Sequence, residues 1–341
     1  MERTIKRHPE TWIKTDKFGL YCSALDAYID PMHPVPRAII THGHADHARP
    51  GHKEVFATEQ TLNIMQIRYG DDFCEHPRAL DYGQRVNIHK GELYFAPAGH
   101  ILGSAQAVIE HADHRLVLSG DYKRHRDPSC LPFEVTPCDV FVTEATFGLP
   151  VFKHPYINDE MQKLLDSMAL FEDRCHLVGV YALGKCQRLM LSLRELGYHK
   201  TIYLHGALIK LCEYYQSQGV DLGKWEAVSE LADLKTLKGE LVLAPPSSLS
   251  DRWSRKLPNV MTAMASGWMQ IRARSKQRRA ELPLIISDHC DWPELLQTLE
   301  EVNPDEVWVT HGREQALVHQ AQKMGFKAKA LSLIGYDEDE S

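Results

Sequence analysis

No run among the 341 residues is long and apolar enough to cross a bilayer, and the opening Met-Glu-Arg-Thr-Ile-Lys-Arg lacks the apolar core of a signal peptide. Both absences point to a cytoplasmic protein with no membrane partner. The eight cysteines (22, 74, 130, 138, 175, 186, 212 and 290) include no C-x-x-C pair, which fits reduced thiols rather than a disulfide scaffold. Cys290 reads as a packing residue. Positive charge is also in deficit: a net charge of −7 excludes a uniformly basic nucleic-acid binder, although a total hides local patches. Four of the negative charges sit in the tail Asp337–Glu340, expected to be a solvated end. There is no internal repeat and no low-complexity linker. A chain that is 43% hydrophobic and 25% charged has material for a large core and for two domains.

Histidine, by contrast, is plentiful at nineteen residues. Three of them fall in Thr41-His42-Gly43-His44-Ala45-Asp46-His47, directly after the apolar run Arg37-Ala-Ile-Ile. If that run is a buried strand, alternation sends His42 and His44 to one side, and a following turn aims Asp46 and His47 at a neighbouring point. Imidazole and carboxylate are the usual ligands of a borderline divalent ion, and two ligand pairs aimed at two points suggest two ions.

Further along, Val86–His89, Leu93–Pro97, Ala107–Glu110, Arg115–Ser119 and Val140–Glu144 read as short strands with ligand-type residues at their ends. Residues 53–70 read as a helix after a short strand at Val55–Ala57. This texture predicts a sheet sandwich with its chemistry on the edge where strands finish. From about residue 155, helix and strand alternate: helices over 159–171, 187–196 and 208–218, and strands at 177–181, 201–204, 240–244 and 260–264. That is a small doubly wound α/β unit. Leu284–Ser287 and Val307–Thr310, flanking a helix over 292–301, regain buried-strand texture with histidines following. The middle unit is therefore expected to be an insertion: 1–150 and 282–341 form one domain, and 151–281 the other.

His100, in Ala98-Gly-His-Ile-Leu-Gly, and Asp121, in Ser119-Gly-Asp-Tyr, stand where a strand meets a glycine bend. His100 would complete a three-histidine site with His42 and His44, and Asp121 could bridge both ions. Glu144, His289 and His311 each follow a strand, and a hydrogen-bonded structural role is the ordinary alternative for each.

Taken together, H-x-H-x-D-H, a later His, a later Asp, Glu144, Ser287-Asp-His-Cys-Asp and His311-Gly resemble, in order, the metallo-β-lactamase fold in its nucleic-acid-processing β-CASP branch. Residues 177–188 resemble the strand–loop–helix that opens that branch's inserted domain. Residues 143–155, 263–272 and 306–316 are most similar to bacterial ligase-associated DNA exonucleases. The resemblance implies an αββα four-layer sandwich with an inserted small α/β domain. It places one ion on His42, His44 and His100, and a second on Asp46, His47 and His311, with Asp121 between them; zinc or manganese would serve. It makes Asp26 the acidic residue supporting the ligands, Glu144 an orienting group beside the histidine it faces, and His289 the general acid. It also implies DNA repair, with an ATP-dependent DNA ligase and a helicase as partners. Within the branch, a histidine at the last position, here His311, goes with RNA enzymes, which leaves an RNA-processing nuclease open.

The expected chemistry is phosphodiester hydrolysis. Two bridged ions acidify a shared water and neutralise the phosphate, and a histidine protonates the leaving alkoxide. The substrate needs a track, and residues 252–279 hold eight Arg or Lys and no acid, with Trp253 and Trp268 interleaved as stacking candidates. Arg272, Arg274, Arg278 and Arg279 are the candidate DNA contacts there. Lys185 and Gln187, at a helix start, and Ser266 are further candidate phosphate contacts. A small-molecule metallo-hydrolase of the same fold is the alternative from another class, and it has no use for the basic run.

Overall fold

The computed structural model describes residues 8–278 and 280–331; the acidic tail and Arg279 lie outside the described residues. The chain divides into two compact units, Met1–Lys153 with His289–Ser341, and His154–Asp288.

In the first unit, β1 (Ile13–Asp16), β2 (Gly19–Cys22), β3 (Ala27–Ile29), β4 (Arg37–Ile39), β5 (His52–Ala57) and β6 (Cys74–Ala79) form one sheet in chain order. It is antiparallel up to β3 and parallel from β3 onward. Between β5 and β6 lies α1 (Glu59–Tyr69), whose first turn is capped by the Thr58 hydroxyl accepting from the Thr61 N–H at 3.2 Å. A second sheet opens with β7 (Val86–Ile88), β8 (Gly91–Pro97), β9 (Ala105–His111), β10 (His114–Leu118) and β11 (Val140–Ala145).

The second unit follows: α2 (Ile157–Leu170), β12 (His176–Gly179), α3 (Lys185–Glu195), β13 (Ile202–Leu204), α4 (Gly206–Ser217), β14 (Trp225–Ala227), β15 (Leu241–Ala244), β16 (Met261–Ala265), α5 (Arg272–Arg278) and β17 (Leu282–Leu284). Its sheet is parallel throughout, in the order β14-β13-β15-β12-β16-β17. The chain then returns to the first unit with α6 (Trp292–Val302), β18 (Glu306–Gly312), α7 (Glu314–Lys323) and β19 (Lys327–Ala330), completing a second sheet ordered β19-β18-β11-β10-β9-β8-β7.

Strand alternation decides what each face buries. In β11, Val140 and Val142 join Leu93, Phe95 and Ile109 in a cluster shared with Leu20, Ile29 and Ile39 of the first sheet. Phe141, one residue out of phase, packs on the opposite face with Leu295 and Leu299 of α6 and Leu317 of α7. On the first sheet, Ala38 and Val55 face Leu62 and Met65 of α1. The fold is thus mixed α/β, with several sheets and with apolar clusters on both sides of β11.

Two expectations need correction. Leu284 does not rejoin the first unit, because β17 extends the second unit's sheet with Ala265 opposite Leu284; an apolar run declares burial but not which sheet it joins. Nor do His42 and His44 continue a strand. β4 stops at Ile39, and His44 starts a turn in which its carbonyl accepts from the N–H groups of His47 (3.2 Å) and Ala48 (2.7 Å).

Helix α6 starts at a reciprocal cap: Asp291 Oδ1 accepts from the Glu294 N–H at 3.1 Å, and Glu294 Oε2 accepts from the Asp291 N–H at 3.2 Å. Asp291→Ala should therefore lower the unfolding free energy by about 1 kcal/mol in urea titration, and an unchanged midpoint would show that packing alone holds this end.

Candidate metal centre

The edge reached by β4, β8, β10, β11 and β18 gathers the histidines of the first unit. His44 Nδ1 lies 3.2 Å from His42 Nε2 and 3.0 Å from His100 Nε2. Asp121 Oδ2 lies 3.5 Å from His42 Nε2, 3.8 Å from His100 Nε2 and 3.4 Å from His47 Nε2. Asp46 Oδ2 stands 3.7 Å from His47 Nε2 on the other side. His42, His44, His100 and Asp121 thus form one group of four donors, and Asp46, His47 and Asp121 form a second group of three. Asp121 belongs to both.

These spacings test whether cations fit. Four donors about 2.0–2.1 Å from a tetrahedral ion are about 3.3 Å from one another. The nitrogen and oxygen separations in both groups scatter around that value, and imidazole with carboxylate is the donor chemistry of zinc or manganese. The residues fit a divalent ion in each group.

Local electrostatics set the protonation of each donor, and a cation seated beside His47 would have to displace the proton that its carboxylate neighbours favour. Burial, reinforced by the His47 ring beside it, holds the His42 pKa well below the ordinary imidazole range, so its lone pair is available. Burial also disfavours the charged form of His47, but Asp121 and Asp46 outweigh it and hold that pKa well above the usual range. For Asp121 the opposing burial is overcome by His47 and His289, which keep it ionised far below the carboxylate range.

Neighbouring groups fix the rings. His47 Nδ1 bonds Asp30 Oδ2 at 2.8 Å, and Asp30 also accepts from the Thr41 N–H (2.8 Å) and hydroxyl (2.6 Å). Gly120 turns the chain ahead of Asp121 at φ +54°, where an added Cβ would lie 2.8 Å from the Thr41 side chain. His289 Nδ1 sits 2.9 and 3.1 Å from the two oxygens of the buried Glu144, and 3.9 Å from Asp121 Oδ2. Glu144 is anchored in turn by the Tyr122 N–H at 2.7 Å and the Thr146 hydroxyl. His311 ends β18 with its ring centroid 5.3 Å from that of His47, and burial lowers its pKa to about 4. It stands beside the second group rather than within the set of donors that lie mutually close. Cys290 is buried and its thiol held protonated by that burial, as a packing residue should be.

No family model matches the chain. Among curated proteins it is 30% identical over 328 residues to a probable DNA ligase of Opitutus terrae, a match covering 94% of this chain and 31% of that protein. It is 25% identical over 315 residues to cleavage and polyadenylation specificity factor subunit 3 of Dictyostelium discoideum, covering 77% of this chain and 40% of the other. With endoribonuclease YSH1 of Mycosarcoma maydis it shares 28% over 229 residues, covering 52% and 25%. The chain therefore spans between a quarter and two fifths of these relatives' own lengths. The crystal structure of a protein of unknown function from Enterococcus faecalis V583 superposes with a TM-score of 0.58 at 13% identity, over 88% of this chain and 80% of that one, which shows a shared fold.

The chain resembles the β-CASP branch of the metallo-β-lactamase family.

Several residues singled out in the sequence stand elsewhere than expected. Asp26 is a correction: it sits in the β2–β3 turn at φ +49°, accepting from the Tyr21 hydroxyl at 2.7 Å. The carboxylate bonded to a histidine of the candidate centre is Asp30, four residues on. Parallel pairing of β3 with β4 places Ile29 opposite Ile39, so the residue after β3 falls beside Thr41. In the second unit, Gln187 is fully buried and closes the start of α3, accepting from the Gly184 N–H at 2.8 Å and donating to the Ala182 carbonyl at 2.9 Å. Lys185 is buried over the Tyr181 ring with Nζ 3.7 Å from Asp288. The buried Ser266 accepts from the Trp268 N–H at 3.3 Å. None of the three presents an exposed side chain to a phosphate: Gln187 and Ser266 serve the backbone first, and Lys185 faces Asp288 and the Tyr181 ring. Trp268 is buried under the Arg274 guanidinium, 3.9 Å from its centroid, and Trp253 packs against a core cluster and the His205 ring, so neither is an open stacking platform. Arg272 is exposed on α5, and Arg278 closes that helix.

Asp30→Asn should weaken zinc or manganese binding about 10- to 100-fold in a chelator competition, whereas Asp26→Asn leaves it unchanged. The reverse ranking would return the supporting role to Asp26.

Proposed function

We propose that this chain is a two-cation phosphodiesterase that degrades DNA from an end in a repair setting. The observation that carries the reading is the sharing of Asp121 between two donor groups, with the His289–Glu144 pair 3.9 Å from that same carboxylate. His42, His44, His100 and Asp121 would hold one ion, and Asp46, His47 and Asp121 the other, with His311 alongside. Divalent cations there would supply charge neutralisation at the phosphate and a water acidified towards neutral pH.

The remaining work falls to the chain itself. A leaving alkoxide departs poorly unless protonated. His289 is built to deliver that proton: with Nδ1 engaged by Glu144, the transferable proton is the one on Nε2. Glu144 fixes the ring, and the Tyr122 N–H fixes Glu144. The apolar cluster shared by the two sheets, with helices on the opposite face of the second, supports reading the first unit as a helix–sheet–sheet–helix sandwich, and the parallel sheet of the second unit supports reading it as an inserted β-CASP domain. On α5, Arg272 and Lys276 project from the surface and suit phosphate contact.

DNA is favoured because 94% of this chain matches part of a longer protein named a probable DNA ligase. That likeness also supports a ligase, with a helicase, as partners in the same repair. A second reading, the same chemistry on RNA, is favoured by the relative named an endoribonuclease and by the histidine at position 311. End-labelled DNA and RNA digested with zinc or with manganese decide between them. Mononucleotide release from DNA is expected, and internal cuts in RNA would replace the first reading with the second.

His289→Ala should lower kcat about 10²- to 10⁴-fold while DNA binding persists; an unchanged kcat would move the acid's role to another group. Replacing Arg272 and Lys276 by Ala should reduce the slope of log K against log salt by about 0.7–0.9 for each phosphate that is no longer neutralised. A slope identical to that of the unaltered chain would remove α5 from the substrate track.

A further inference from the structure

A lysine is buried beneath the loops that carry His100 and Asp121. Lys123 is 1% exposed, and its Nζ donates to the His100 carbonyl at 3.1 Å and to Asp127 Oδ2. The other Asp127 oxygen accepts from the Ser129 N–H at 2.8 Å and the Ser129 hydroxyl at 2.6 Å, so this carboxylate is itself held from two sides. The Lys123 backbone grips the same loop, its N–H donating to the Ala98 carbonyl at 3.2 Å. Gly99 lets the two segments close: at φ +75° a Cβ there would lie 2.4 Å from the Lys123 carbonyl. His100 is fastened on its other side by the Ser104 hydroxyl, which accepts from the N–H groups of His100 and Ile101, both at 3.1 Å.

Burying an ammonium and a carboxylate together is costly, and well-packed apolar residues of similar size usually hold a fold as well or better. Stability therefore gives little reason for this pair. Its position does. One cation ties the backbone of His100, at the end of β8, to a segment two residues past Asp121, at the end of β10. His100 and Asp121 come from different loops yet must hold a spacing of 3.8 Å between Nε2 and Oδ2.

We infer that Lys123 is a positioning residue that sets the distance between His100 and Asp121, and with it the affinity of the first donor group for its cation. This inference rests on reading His100 and Asp121 as ligands. The test is chelator competition with zinc alone, run beside thermal unfolding. In the double variant Lys123→Met/Asp127→Asn, which leaves no buried charge unpaired, zinc affinity should fall about 10- to 100-fold. Leu20→Ala, in the apolar cluster between the two sheets of the first unit, serves as a control that lowers Tm, since that cluster contains no residue of either loop. A double variant losing no more affinity than this control would overturn the inference. Lys123→Arg keeps the charge but not the compact ammonium between two acceptors, so it should fold and lose affinity in the same direction. It decides the matter if the double variant does not fold, and affinity within twofold of the unaltered chain would overturn the inference. Failure of the unaltered chain to bind zinc would instead count against the ligand reading itself.

Discussion

Asp121 is the constraint on which the first unit turns. A single buried oxygen lies within 4 Å of nitrogens from His42, His47, His100 and His289. A carboxylate that deep costs several kcal/mol in lost hydration unless positive charge compensates it. The surrounding rings can provide part of that charge, but His42 is held neutral by the same burial. The balance is met most simply by cations seated among the donors, which is the arrangement that the donor spacing independently fits.

Topology explains why these residues meet at all. β3 and β4 run parallel in the first sheet, and β10, β11 and β18 run parallel in the second, so their carboxyl ends share an edge. The stretches following β3 and β4, and Asp121, Glu144 and His311 after or at the ends of the other three, fall there by construction. β8 is antiparallel to β9, and β9 to β10, so the loop joining β8 to β9 is returned to the same edge with His100 in it. The Ala105 N–H donates to the Thr41 carbonyl at 2.8 Å, tying the second sheet's edge to the first sheet's histidine loop. Ligands at the carboxyl ends of parallel strands are a general consequence of such sheets.

How much of this the sequence carries depends on the range of the interaction. The His42–His47 cluster is legible because its spacing is local, and the strand-end positions of His100, Asp121 and Glu144 follow from short apolar runs ending at glycine or a polar residue. Asp30 is not legible beside Asp26, since both follow apolar stretches and only the β3–β4 register separates them. Lys123 lies in Lys-Arg-His-Arg-Asp, which reads as a solvated charge run, and its burial follows from two loops closing over it. Gln187 and Ser266 mislead for a different reason: a polar residue at a helix start satisfies backbone N–H groups or receives an anion equally well on paper. Burial resolves the choice in favour of the backbone. The acid-free basic stretch survives as a surface feature only in part, because Arg274 stacks on its own tryptophan.

The two halves of the first unit's polar chemistry follow one rule. Two of the rings that present one nitrogen to the shared carboxylate have the other nitrogen engaged: His47 by Asp30, and His42 by the Thr41 hydroxyl at 3.2 Å. His289 differs, turning Nδ1 to Glu144. Its Asp121 approach, at 3.9 Å, uses that same Nδ1. On that difference rests the proposed division between rings that ligate and a ring that transfers a proton. Outer partners of this kind fix tautomer and orientation before any ion arrives. The low dielectric that makes each buried group costly also strengthens every bond holding it, so the network is rigid because its members are engaged. A centre assembled in this way has its donor rings oriented in advance, and the loops beneath it decide how firmly that orientation is kept.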